Sequence, residues 1–263
     1  MPDAVSRFAG FAAQYDAVRP APPADLPAFL ADWSGKPTPD VVDIGAGTGL
    51  STTVWAGTAR QVTAVEPGAE MRAVLAARVA RLPEGPTRFA VVSGTAESTG
   101  LADHSADIVT AGTAMHWFDH VRAMPEIARV LRPGGVVAAY LPVWPPRIDP
   151  EVDAVSAAFD ELMTRLETGR GLRPPDAGDD HAVAMRRSGQ FRYVAEMALH
   201  GREEGDAARL VGLARSRGGA AALLAAGASE GEIGLTRLAE VAARRLQESR
   251  PWWWTFQLSL GVR

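Results

Sequence analysis

The run Val41-Val42-Asp43-Ile44-Gly45-Ala46-Gly47-Thr48-Gly49 joins an apolar stretch to a carboxylate and three alternate glycines. Glycines let the chain turn into conformations closed to other residues and let a ligand approach the backbone closely. The spacing is GxGxG. A dinucleotide fingerprint, GxGxxG, would need glycine where Leu50 stands, and no GxxxxGK[ST] phosphate loop occurs. Asp43, two residues before the first glycine, is badly placed against a pyrophosphate and well placed against a ligand with positive charge. Glu66 ends the next apolar run, where a carboxylate can accept both hydroxyls of a ribose. His116, in Met115-His116-Trp117-Phe118-Asp119, offers either a general base or a capping and packing side chain. His120, one helical turn onward, reads as solvent-exposed.

Elements must hold these residues in place, and periodicity supplies them. Short apolar runs at 40–44, 61–65, 89–92, 107–110 and 136–141 read as strands, with helical patterns at 50–58, 69–82 and 118–131 between them. Pro125 is expected to break the last of these helices or to open a second segment. Strands apolar on both faces that alternate with helices mean a parallel sheet covered on both sides. Asp43 and the glycines then fall at the carboxyl edge of the first strand, where open α/β sheets bind ligands. A cationic group together with an unphosphorylated ribose describes S-adenosylmethionine.

The flanks are less regular. Residues 1–40 carry seven prolines, six of them between 20 and 39, and two short helical patterns, 8–15 and 26–33. Residues 143–188 read as an insertion with a helix at 151–167 and a polar run at 169–180. Alternation returns at 191–200, helices are expected at 206–216, 218–226 and 233–247, and the clearest strand closes the chain. There Trp252, Trp254, Phe256, Leu258, Leu260 and Val262 share one side. Because neighbours point to opposite faces, Trp252, Trp253 and Trp254 are expected to serve core or hairpin packing rather than build an aromatic cage.

Composition narrows the partners. The chain has 263 residues, 47% of them hydrophobic and 22% charged, which suits one large folded domain. With no cysteine there are no disulfides, thiolate nucleophiles or sulfur-bound zinc, and no metal is expected. A formal net charge of −4 argues against a nucleic-acid footprint. No apolar stretch reaches bilayer length and the first residues lack a signal-peptide pattern, so a cytoplasmic protein without membrane contact is expected. Of 27 basic residues only Lys36 is lysine. The arginines at 165, 170, 173, 186 and 187 read as a solvated face that could also grip an acidic substrate.

Four blocks in order, VVDIGAGTGLST, VTAVEPGAEM, VVSGTAESTGLADHSADIVTAGTAMHWFD and ARVLRPGGVVAAYL, together with YDAVRP at 15–20, resemble the class I S-adenosylmethionine-dependent methyltransferases. The likeness is greatest to the small-molecule branch called methyltransferase type 11. It implies a Rossmann-like α/β fold with a seven-stranded, mostly parallel sheet, helices on both faces and a lid insertion after the fifth strand. It also implies a single domain over 1–263. Within it, 1–38 would be a cap segment, 39–142 the cofactor core, 143–190 the lid, and 191–263 the part that completes the sheet.

Carried over by residue, the resemblance implies that Gly45, Ala46 and Gly47 line the methionyl part of S-adenosylmethionine, and that Glu66 holds the ribose. Pro67 and Met71 would flank the adenine, with Thr95, Ala96 and Glu97 along its edge. Many relatives have Asp where Thr95 stands and Gln where Thr113 stands. Ala111 would offer its carbonyl to the ammonium, next to Thr113 and His116. Tyr15 and Arg19 would close the site, Arg19 reaching the methionyl carboxylate; otherwise they form a surface turn set by Pro20.

The expected activity is in-line methyl transfer to a small molecule. Oxygen is favoured over nitrogen or carbon because His116 could serve as base. A non-methylating S-adenosylmethionine enzyme, such as a cyclase, is the alternative, and a binding protein without turnover the least favoured. Whether the chain is a monomer or a homodimer stays open.

Overall fold

The structure, a computed structural model, describes residues 18–171 and 181–263. Seven strands form one sheet: β1 (Asp40–Ile44), β2 (Gln61–Val65), β3 (Arg88–Val92), β4 (Ala106–Gly112), β5 (Leu131–Arg147), β6 (Tyr193–Gly205) and β7 (Arg250–Val262). Their order is β3-β2-β1-β4-β5-β7-β6. The first five pair in parallel, whereas β7 runs antiparallel between β5 and β6. The winding direction reverses between β1 and β4, and that reversal opens a crevice at the carboxyl edge of the sheet. All five residues of β1 are buried, so Val41, Val42 and Ile44 meet the core on both faces of the sheet.

The helices are α1 (Leu26–Ser34), α2 (Leu50–Thr53), α3 (Ala69–Val79), α4 (His120–Val130), α5 (Pro150–Gly169), α6 (His181–Ser188), α7 (Ala207–Arg215), α8 (Gly218–Ala225) and α9 (Leu235–Arg245). Side chains alternate along each strand, so Val136 and Ala138 pack with α1, α5, α7 and α9, while Val137 and Ala139 meet Met124 and Ile127 of α4 and Met185 of α6. Aspartates start several helices by accepting backbone N–H bonds: Asp119 from Val121 at 3.1 Å, Asp149 from Glu151 at 3.0 Å and Asp206 from Arg209 at 2.8 Å. Among the described residues no helix is long and apolar enough to cross a membrane.

Several expectations change. Pro125 lies inside α4 without breaking it. It is exposed, and Val121, whose carbonyl loses the i→i−4 bond, is 84% exposed, so water can take that bond's place. The helix expected over 50–58 keeps only α2 before its last residues close into turns. β5 runs on to Arg147, pairing with β7 past the end of β4. The segment expected as an insertion is divided between the layers: Phe159 and Met163 of α5 join the core on one face and Met185 of α6 joins the other. Arg165 and Arg170 are thereby separated from Arg186 and Arg187, so these four do not gather into one grip, and Arg173 lies outside the described residues. The final strand follows its alternation, with Trp252 and Trp254 in the core and Trp253 57% exposed.

Candidate functional site

The glycine turn is tied to the neighbouring strand before any ligand is considered. The N–H groups of Gly45 and Ala46 both donate to the carbonyl of Val65, at 2.9 and 3.2 Å, and Gly45 and Gly47 take φ of 68° and 55°. A Cβ on Gly45 would stand 2.7 Å from that of Ala114, whereas one on Gly47 would meet nothing within 4 Å. Gly45→Ala therefore combines left-handed strain with a collision and is expected to destabilise the fold by about 2–3 kcal/mol in urea unfolding. Gly47 faces open space, as a backbone that lines a ligand cleft must.

Glu66 braces the same turn. Its Oε2 accepts the Gly47 N–H at 2.9 Å and its Oε1 the Gly68 N–H at 2.8 Å. Each oxygen retains acceptor capacity for a further donor, because a carboxylate offers about four lone-pair directions. Two cations outside the sequence motifs support the turn: Arg72 Nη1 donates to the Glu66 carbonyl at 2.9 Å and Arg78 Nε to the Thr48 carbonyl at 3.0 Å. Nothing local marks Arg78 as a partner of the turn, because it lies on α3, 30 residues away.

Asp43 is fully buried and sits in a cage of hydroxyls. Oδ1 accepts from Ser51 at 3.0 Å and Thr110 at 2.8 Å, and Oδ2 from Thr52 at 2.7 Å. Among the described residues no Lys, Arg or His pairs with it. Burial pushes its carboxyl up to about 6, against the opposing pull of the three hydroxyls and with a small further push from the Glu66 charge. Ser51 also meets the Tyr140 hydroxyl, and as its own proton points to Asp43, Tyr140 is the donor. Asp43 therefore reaches the crevice only through Ser51.

Ser51 and Tyr140 open onto a small cleft of about 70 Å³, together with Arg19, Ala46, Thr113 and Phe256. Ala111 ends buried in β4, and Thr113 follows with a φ of 54°, unusual for a β-branched residue, held by a 2.7 Å bond from its N–H to the Tyr140 carbonyl. His116 lies in the 3₁₀ turn Met115–Trp117, with its ring 4.9 Å from that of Trp117. His116 is exposed, and partial shelter of its ring together with the nearby charges of His181 and Arg19 pushes its pKa down. His120 is half-buried, not solvent-exposed as expected: its Nε2 meets the Met115 carbonyl at 3.0 Å, and the ring stands edge-on to His181.

On the far side of Glu66, Pro67 is half-buried and Met71 is buried. Thr95 and Ser98 bond each other's backbone, Ala96 is buried between them, and Glu97 accepts the Asp119 N–H at 2.9 Å. Tyr15 lies outside the described residues. A larger cleft, about 230 Å³, opens at the opposite edge beside Asp40, Arg60 and Arg132. Ion pairs within it join those three residues, and the glycine turn is at the other end of β1. The hydroxyl cage was missed by sequence reasoning; the adjacent Ser51 and Thr52 were its one local signal.

Comparison with known proteins adds to this geometry. A family model described as a methyltransferase domain matches residues 42–139. The chain is 40% identical over 128 residues to an uncharacterized methyltransferase of Mycobacterium tuberculosis, an alignment that spans about half of either protein, 49% of each. It is 30% identical over 224 residues to the malonyl-[acyl-carrier protein] O-methyltransferase of Pectobacterium atrosepticum, across 84% of this chain and 80% of that one. The solved structure of a proposed type II methyltransferase from Anaeromyxobacter dehalogenans superposes with a TM-score of 0.69 at 25% identity, over 93% of this chain and 97% of the other.

Proposed function

This chain belongs to the S-adenosylmethionine-dependent methyltransferases, and from that membership we propose that it methylates a carboxylate oxygen on a small acyl molecule. The observation that carries the choice of oxygen is the similarity, over 84% of this chain, to an O-methyltransferase whose name specifies a malonyl group; His116, whose pKa is pushed down, fits it as a weak base. A base that weak has little driving force to take a proton from an alcohol or an ammonium. A carboxylate is already deprotonated near neutral pH and needs no base. His116 is then a wall of the acceptor site rather than the base first considered.

The residues present suit the cofactor. Asp43 is a buried carboxylate without a counter-ion among the described residues, Glu66 keeps acceptor capacity, and Gly47 faces open space. S-adenosylmethionine supplies, when bound, an activated methyl group on a sulfonium that leaves as a neutral thioether. Glu66 would hold the ribose hydroxyls, and Gly45, Ala46, Gly47 and the Ala111 carbonyl the methionyl part. Asp43 would supply negative charge through Ser51, and Arg19 a cation for the methionyl carboxylate. Pro67, Met71, Thr95, Ala96 and Glu97 would border the adenine. We read 1–263 as one domain, with 39–142 holding the cofactor and the lead-in and later segments shaping the acceptor side. Orientation in such a cleft can lower a barrier by ~7–11 kcal/mol.

Methyl-labelled S-adenosylmethionine and a panel of short acyl carboxylates test this reading. Label is expected in a base-labile ester with equal S-adenosylhomocysteine, and His116→Ala is expected to keep kcat/KM within about tenfold, with no new pH dependence between 6 and 8. Label in a base-stable product, or release of methylthioadenosine, would contradict it.

A further inference from the structure

We propose that Arg209, which does not line the cleft, is the positioning residue that seats the segment 18–22 against α7 and so sets how tightly the site holds its cofactor. The proposal rests on the cofactor reading above and goes beyond it, because it traces the aim of Arg19 to a helix that no sequence motif connects with the site.

One face of α7, continued just past its end, holds the segment at successive points. At the first, Arg209 donates from Nε to the Val18 carbonyl at 3.3 Å and from Nη2 to the Arg19 carbonyl at 3.4 Å. The fork is itself fixed from below: Nη2 meets Glu203 Oε2 at 2.6 Å, Nη1 meets the Glu204 carbonyl at 2.6 Å, and the guanidinium lies 5.2 Å from the ring centre of the buried Trp252. The other oxygen of Glu203 accepts the Ala21 N–H at 2.9 Å, so the ion pair grips the segment from both of its members. At the second point Gly212 lets Val18 close on the helix, since a Cβ there would stand 2.9 Å from Val18 Cγ1. At the third, the Ser216 carbonyl accepts from Arg19 Nη2 at 3.2 Å. Steps of three and four residues put 209, 212 and 216 on the same side of a helix.

The consequence falls on the cleft. Arg19, Pro20 and Pro22 line it together with Ser51, Thr113 and Tyr140. A long side chain on a loose segment gives up much conformational freedom when a ligand immobilises it, and binding is weakened accordingly. Here that cost is met on folding: Arg209 and Glu203 hold the backbone of 18–21 and Ser216 the Arg19 guanidinium before a ligand arrives. Only 18% of the Arg209 side chain and 23% of that of Glu203 is exposed, so salt screens their pair less than one on the open surface.

Calorimetric titration of S-adenosylhomocysteine across a double-mutant cycle of Arg19 and Arg209 tests this, with thermal melts of the ligand-free variants reporting on the fold. Arg19→Ala is expected to weaken Kd about tenfold or more, as a lost charge-assisted bond does. Arg209→Ala is expected to weaken it about five- to tenfold, yet to add no more than about twofold on top of Arg19→Ala, because it acts through that residue. Arg209→Lys can reach Glu203 but cannot fork to the Val18 and Arg19 carbonyls as well, and is expected to recover part of the loss. Gly212→Ala keeps every polar partner and favours the helix while displacing Val18; it is expected to weaken binding about threefold in the wild type and not in Arg19→Ala. Losses that multiply in the double variant, or a loss in Arg209→Ala without one in Arg19→Ala, would overturn the proposal. So would a wild-type Kd in Arg209→Ala, or in Gly212→Ala should Arg209→Ala not fold. No binding by the wild type would remove the cofactor reading itself, and this proposal with it.

Discussion

Glu66→Ala is expected to weaken S-adenosylhomocysteine binding a hundredfold or more, the largest loss from any single side chain in the site. Two effects combine. The Gly47 and Gly68 N–H groups lose their acceptor, so the turn is no longer held in the geometry that receives the ligand. Under the proposed role, the ribose also loses charge-assisted bonds worth ~1.5–3 kcal/mol each. Only about 2.7 kcal/mol is needed for a hundredfold change. The fold itself is expected to lose ~1–3 kcal/mol, because the turn is braced with or without ligand. Glu66→Gln is not a mild substitute: one of its two terminal atoms becomes a donor, and both backbone partners are donors. Calorimetry showing a Kd within threefold of wild type for Glu66→Ala would remove Glu66 from the site.

Asp43→Asn is expected to move stability and binding in opposite directions. Burial raises the Asp43 pKa to about 6, above the ordinary carboxylate value, so folding favours the protonated acid. The native state then holds more protons than the unfolded chain between about pH 4 and 6, and stability falls as pH rises through that window. Above it the ionised group costs ~3 kcal/mol, which the neutral amide does not incur. At pH 7 the apo variant is expected to be more stable by ~1–3 kcal/mol, and to melt several degrees higher, with the gain gone near pH 4. Ser51 and Thr110 can still donate to the amide oxygen while Thr52 turns to accept from the nitrogen. Binding of S-adenosylmethionine is expected to fall at least tenfold, since the compensating charge is gone. A variant less stable than wild type at pH 7 would show that the carboxylate is compensated by something other than ligand. Such a trade of stability for function is common at binding sites.

Much of this was legible in the sequence because it depends on neighbours along the chain. The parallel core, the glycine turn at the end of β1, the carboxylate at the end of β2 and the two faces of β7 all follow from periodicity or from spacing of a few residues. What escaped depends on contacts between strands. Thr113 takes its left-handed conformation because the Tyr140 carbonyl, on the next strand, captures its N–H. The Asp43 cage joins Ser51 and Thr52 of α2 to Thr110 of β4, with Tyr140 of β5 behind Ser51, and no window of sequence contains all four. β5 outran its apolar pattern because β7 offers it a partner as far as Arg147. Pro125 misled because its cost depends on exposure, and exposure is set by packing.

A crystal structure with S-adenosylhomocysteine tests most directly whether the cofactor lies at the β1/β4 crevice. The ribose hydroxyls are expected within hydrogen-bonding distance of the Glu66 carboxylate, with the sulfur facing the cleft of Arg19, Thr113 and Tyr140. Ligand bound in the opposite cleft beside Asp40 and Arg132, or bound without contact to Glu66, would contradict the account.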